Sequence, residues 1–166
     1  YRAYKELFYL HPSRFQPDPS IRGSMGVADD ERLFLLRLTG FTASHDARHA
    51  GLSSEQVNVV IAKLQAAGRV IISSERDLPP ALDRFRIRTP PERFHHVLAA
   101  CDLVVGDSQT VCSEAAVVGV PSLRLNSWAG HHPYQVELEE RWGLTKAFAL
   151  DDEVLFLAEM DRLLAN

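Results

Sequence analysis

Hydrophobic positions along this chain fall into short blocks that alternate between two periods. Leu33 to Leu38, Val70 to Ile72, Leu103 to Val105 and Ser122 to Leu125 are compact apolar runs. Runs of this kind read as parallel strands buried on both faces. Between them the apolar residues recur at helical spacing. Val57, Val60, Ile61, Leu64 and Ala67 follow Ser53 to Gln56, a match to a capping box, and Gly68 closes that helix. Pro90 and Pro91 suit the first turn of a helix running through Phe94, Val97 and Leu98 to Ala100. Val111 to Val118 predict a helix rich in Ala and Val, stopped by Gly119. A further helix runs from Pro133 through Val136, Leu138 and Trp142 to its stop at Gly143. Lys146 to Leu150 is a last strand candidate, and Asp151 and Asp152 cap a closing helix from Glu153 to Leu164. Phe85-Arg86-Ile87 alternates in character and reads as a short edge strand.

Strands joined by helical crossovers predict an α/β fold: a doubly wound, mostly parallel, six-stranded Rossmann-like sheet. The order 3-2-1-4-5-6 sets the first strand, Leu33 to Thr39, beside the fourth, Leu103 to Gly106. Ligands bind beyond the carboxyl ends of the strands where such an order reverses. Two segments lie there. One is the polar loop from Gly40 to Ser53, carrying Thr42, Ser44, His45, Asp46, Arg48 and His49; the other is the elbow Gly106-Asp107-Ser108-Gln109-Thr110. Residues 1–32 form an aromatic and Pro-rich lead-in, expected to pack on the domain's own surface or on a partner, so the domain proper spans 33–166. The chain opens Tyr1-Arg2-Ala3-Tyr4, which suggests a piece of a longer protein.

Composition narrows the class. A length of 166 residues with 46% hydrophobic and 24% charged residues suits one soluble domain with a substantial core. A formal charge of −4 and the lack of a Lys-rich run argue against a nucleic-acid partner. No apolar run approaches a membrane span, and no signal-peptide pattern occurs. Cys101 and Cys112, in two predicted helices, match no zinc or redox spacing and read as reduced core thiols of a cytoplasmic protein. His95-His96 face different directions on one helix and make a poor metal site, so no metal and no cofactor are expected. Ser-His-Asp spacing, HExxH, Walker and GxGxxG patterns are all absent.

The elbow is where chemistry can sit. A helix that begins at a strand's carboxyl end offers unpaired N–H groups and the positive end of its dipole to a phosphate or carboxylate. Asp107 or Ser108 can cap it, Ser108 and Thr110 add hydroxyls, and Glu114 lies one turn beyond Thr110 on the same face. A carboxylate there can accept hydrogen bonds from ribose hydroxyls; the plainer alternative is a capped helix with Glu114 solvated or paired to an Arg. Arg37, at the end of the first strand, can reach a phosphate or pair with a carboxylate. His131 and His132, in the loop from Ser127 to Pro133, stand at another strand's carboxyl end and can contact a ligand.

The run DSQTVCSEAAVVGVP resembles the nucleotide-sugar motif of GT-B-type enzymes, and most of all that of non-hydrolysing UDP-N-acetylglucosamine 2-epimerases, at Asp107, Ser108, Glu114, Ala115, Gly119 and Pro121. With YKELFYLHPSRFQPDP, the chain also resembles the carboxyl-terminal half of a GT-B-like archaeal and bacterial family of unknown function. The resemblance implies one half of a GT-B fold that binds a UDP-sugar. Ser108, Gln109 and Thr110 would hold the diphosphate, with Arg37 near it; Glu114 would hold the ribose, and the uracil would lie near Arg86 to Thr89. Gln109-Thr110 depart from the Gly-Gly of the epimerases. His45, His49 and His132 are the candidates for acid–base or sugar contacts. The partners implied are a UDP-sugar, an amino-terminal Rossmann-like domain that supplies most of the catalysis, and a further copy in a homo-oligomer. A non-catalytic scaffold or assembly module is the alternative.

Overall fold

The computed structural model describes residues 4–40 and 50–165. Within them the elements run α1 (Leu7–Leu10), α2 (Ile21–Ser24), β1 (Leu33–Leu38), α3 (Ser54–Ala67), β2 (Arg69–Ser74), α4 (Phe94–Ala99), β3 (Leu103–Gly106), α5 (Gln109–Val117), β4 (Ser122–Leu125), α6 (Pro133–Glu140), β5 (Thr145–Phe148) and α7 (Glu153–Leu164). Short 3₁₀ turns at Pro80–Phe85 and Pro91–Arg93 lie between β2 and α4. All five strands are parallel, in the order β2-β1-β3-β4-β5.

The sheet is doubly wound, as its apolar runs require. On one face Phe34, Leu36 and Leu38 pack with Val57, Val60, Ile61 and Leu64 of α3 and with Phe156 and Met160 of α7. On the other, Leu33, Leu35 and Val104 pack with Val97 and Leu98 of α4, with Val111 and Ala115 of α5, and with Ile21 of α2. Successive side chains of a strand alternate faces, so the two clusters interleave along β1. Ser53 caps α3 in a complete capping box, accepting from the Gln56 N–H while Gln56 accepts from the Ser53 N–H.

The sheet has five strands, not six. Phe85 ends a 3₁₀ turn, and Arg86 touches β2 through a single bridge to Ile72. The 3₁₀ turns Pro80–Phe85 and Pro91–Arg93 take up the chain on either side, so only the few residues from Arg86 to Pro90 are left to run beside β2. The bridge still lies outside β2, where a third strand of the order 3-2-1-4-5-6 belongs. The reversal between β1 and β3 is as that order requires.

Other departures are local. Cys101 lies just past the end of α4, and both cysteines are buried and free. Helix α6 stops at Glu140, and Asp152 precedes α7 without a side-chain cap. Among the described residues no helix is long and apolar enough to cross a membrane.

The lead-in packs on the layer formed by α4 and α5. Leu10, Ile21 and Val27 are buried. Arg22 donates to the Ala100 carbonyl at 2.7 Å, and Phe15 packs against His96 with the rings tilted and their centroids 4.9 Å apart. Asp18 pairs with Arg93, and its N–H donates to His96 Nδ1 at 3.1 Å. Hydrogen bonds from Ser20 and this guanidinium hold the Asp18 carboxyl down to about 2.

Candidate functional site

The carboxyl ends of β1, β3 and β4 are stitched together before any ligand is considered. Gly106 ends β3 so close to β1 that a Cβ would stand 2.1 Å from the Arg37 carbonyl, so only glycine fits. Asp107, 2% exposed, follows. Its carboxylate accepts from the N–H of Thr39 at 2.7 Å, from the N–H of Leu52 at 3.2 Å, and from Arg76. Burial pushes its carboxyl above the ordinary carboxylate range, against the pull of Thr39 and Arg76. Its carbonyl accepts from Asn126 Nδ2 at 2.8 Å, and Asn126 Oδ1 accepts from the N–H of Trp128 at 3.0 Å. Asp107 is therefore a knot joining three strand ends, and Ser108 is the cap of α5, accepting from the Val111 N–H.

Beyond this knot opens a cleft of about 930 Å³. Arg37, Ser108, Gln109, Thr110, Glu114 and His132 all line it, as do Arg86, Ile87 and Thr89. The first six, all sequence candidates, thus share one cavity, whereas His131 is exposed, its Nδ1 2.9 Å from the Ala129 carbonyl, and does not line it. His45 and His49 lie outside the described residues.

The first turn of α5 faces this cleft with its donors unspent. Among the described residues no acceptor meets the N–H groups of Gln109 and Thr110. Gln109 Nε2 is buried and also lacks a partner.

Two of the candidates are already engaged. Arg37 pairs with Glu75 and donates to Ser73 Oγ at 2.7 Å. Glu114, 7% exposed, is neither solvated nor paired to an Arg. Its Oε1 accepts from the Tyr9 hydroxyl at 2.9 Å and lies 3.1 Å from His95 Nε2. Burial, with the Glu114 carboxylate second, pushes the Tyr9 hydroxyl's pKa up steeply, so the phenol stays protonated as the donor. His132 stacks on Trp128, centroids 5.1 Å apart, at the base of α6. Burial lowers its pKa, and the nearby Arg124 charge adds to that, which leaves a neutral imidazole at pH 7.

Arg124 is the residue that sequence reasoning missed. It sits on β4 opposite Gly106, is 1% exposed, and its Nε and Nη1 have no partner. The signal was present: a strand buried on both faces reads as continuously apolar, and Ser-Leu-Arg-Leu is not.

Comparison with known proteins gives a local match and a distant one. No family model matches. Over 64 residues, 34% of this chain, the sequence is 44% identical to lipid-A-disaccharide synthase of Nitrosococcus oceani, of which the match covers 16%. A solved structure of a variant of the wall teichoic acid polymerase TagF aligns over 82% of this chain and 31% of that one, with a TM-score of 0.42 and 11% identity. The chain therefore spans a minor part of the proteins it matches. The parallel, doubly wound sheet is that of a Rossmann-like domain, and the likeness in sequence is confined to about a third of the chain.

Proposed function

We propose that this chain is the donor-binding half of a GT-B-like glycosyltransferase or sugar epimerase, with a UDP-sugar as its ligand. The observation that carries the reading is the first turn of α5. Its Gln109 and Thr110 N–H groups and the Gln109 amide stand without acceptors at the wall of a cleft large enough for a nucleotide. Phosphate oxygens supply those acceptors. Glu114, one turn along α5, lines the same cleft and is the candidate for the ribose, and Arg86, Ile87 and Thr89, which also line it, are the candidates for the base. In transfer, the helix dipole and Arg37 stabilise the charge that develops on a diphosphate leaving group. His132, neutral at pH 7, is the candidate for a proton contact among the described residues. Residues 33–166 make the nucleotide-sugar domain, and residues 1–32 connect it to a second Rossmann-like half.

Calorimetry on the full-length protein with UDP, UDP-sugars, uridine and pyrophosphate tests this. Binding of UDP well above that of either fragment supports the reading; no heat at millimolar UDP refutes it. A second reading, a non-catalytic assembly module, is favoured by one observation: Glu114 Oε1 is already satisfied by Tyr9 and His95. It predicts a self-associating protein with no nucleotide response.

A further inference from the structure

A buried guanidinium with two of its three nitrogens unpartnered is a physical anomaly. Arginine stays charged at any pH a cell reaches, and native interiors pair or neutralise such groups. Arg124 is 1% exposed, with Nε and Nη1 unpaired, and no carboxylate lies within ion-pair distance among the described residues. Its place in the fold says which way it faces. Leu123 and Leu125 belong to the cluster under α3 and α7, so Ser122 and Arg124 face the opposite layer. Ser122 Oγ donates to the Cys112 carbonyl of α5 at 3.2 Å. Arg124 lies two residues nearer the carboxyl edge, level with Gly106 and so beneath the opening turn of α5. Its charge depresses His132 at the cleft and works against burial at Cys112 in α5, as a cation between the two does. Of the unpaired buried acceptors on that side, Gln135 Oε1 is an uncharged amide and cannot balance it, and the Glu6 carboxylate, whose Oε2 is unpaired, is already paired with Lys5 through Oε1.

We propose that Arg124 is the internal counter-charge of the elbow, and that a phosphate group docked on the first turn of α5 is the anion that balances it. Under the UDP-sugar reading, on which this builds, the anion is the diphosphate.

The test measures pyrophosphate, UDP and uridine binding in the full-length protein, in the wild type, Arg124→Met and Arg124→Lys. Arg124→Met removes an uncompensated charge, so its melting temperature in anion-free buffer is expected to equal or exceed that of the wild type. Its affinity for pyrophosphate and UDP is expected to fall by about 30-fold or more, as loss of one partner of a buried charge pair does, with uridine unchanged. Arg124→Lys is expected to restore affinity to within about 10-fold of the wild type. Equal pyrophosphate affinity in the wild type and Arg124→Met overturns the proposal, as does a variant destabilised without anion yet stabilised by pyrophosphate as much as the wild type. If Arg124→Met does not fold, an Arg124→Lys variant with no pyrophosphate response overturns it as well. Wild-type protein that binds pyrophosphate but gains nothing from uridine or UDP leaves Arg124 in this role and removes the UDP-sugar reading. Wild-type protein that binds UDP as tightly as Arg124→Met does the reverse.

Discussion

Replacing Asp107 tests whether the knot at the strand ends holds the cleft in shape. Its side chain is fully buried and accepts from two backbone N–H groups and from the one-third-exposed Arg76. Asp107→Ala leaves the Thr39 and Leu52 N–H groups without acceptors, at about 1–3 kcal/mol each. The ion pair with Arg76 adds little, because solvent screens its outer partner. Partial rehydration of the cavity offsets some of the loss, so the expected cost is about 3–4 kcal/mol. At about 2–4 °C per kcal/mol for a chain of this size, the melting temperature falls by roughly 6–16 °C. Asp107→Asn resembles the protonated carboxyl that burial favours, and is expected to cost less than half as much. The raised pKa sets the pH dependence: this carboxyl contributes most below the ordinary carboxylate range and loses that contribution as pH rises through its folded value. The gap between wild type and Asp107→Asn therefore narrows as pH rises. Thermal denaturation and amide exchange at Thr39 and Leu52 read the outcome. A fall below about 2 °C in Asp107→Ala, or unchanged protection of both amides, refutes the reasoning.

Four further outcomes follow from the geometry. Tyr9→Phe removes one of the two partners of Glu114 Oε1, leaving His95, and is expected to tighten UDP binding by roughly 5-fold, the worth of about 1 kcal/mol for one hydrogen bond. Glu114→Ala is expected to weaken UDP more than pyrophosphate, and calorimetry showing equal losses contradicts the ribose role. Asp18, held down to about 2 by Ser20 and Arg93, stabilises the docked lead-in above the ordinary carboxylate range and loses that contribution as pH falls through 2. Fluorescence of the lead-in tyrosines followed from pH 5 to pH 2 should report the change, and its persistence in Asp18→Asn counts against this assignment. Cys112, pushed up to about 11 by burial, and Cys101, pushed higher still, should resist a thiol reagent at pH 8 until the protein unfolds. Rapid labelling of either in the native state contradicts their burial.

Much of the frame was legible because its signals are local. The capping box at Ser53, the apolar run of β1 and the Pro-and-Gly punctuation around β4 each announce an element from a few neighbouring residues. Phe85 to Ile87 was misread because alternation cannot reveal that 3₁₀ turns on both sides leave room for only one bridge. The elbow was found, but the roles of its residues were not. Asp107 serves partners at Thr39, Leu52 and Arg76, more than 30 positions distant in sequence, and no helix-cap rule reaches that far. Arg124 escaped for a related reason. Its meaning lies in what it fails to touch, and that emerges only when three strands and a helix are in place.

The Tyr9 hydroxyl on Glu114 makes the lead-in and the cleft two ends of one equilibrium. If a ligand hydroxyl claims Glu114, it must trade with α1, and reciprocity of linkage then runs both ways. Whatever factor the ligand imposes on the docking of α1, a pull on α1 imposes on the ligand. A segment that looks like packaging is thereby a lever, and a force or partner acting on residues 4–15 reaches the cleft without touching it.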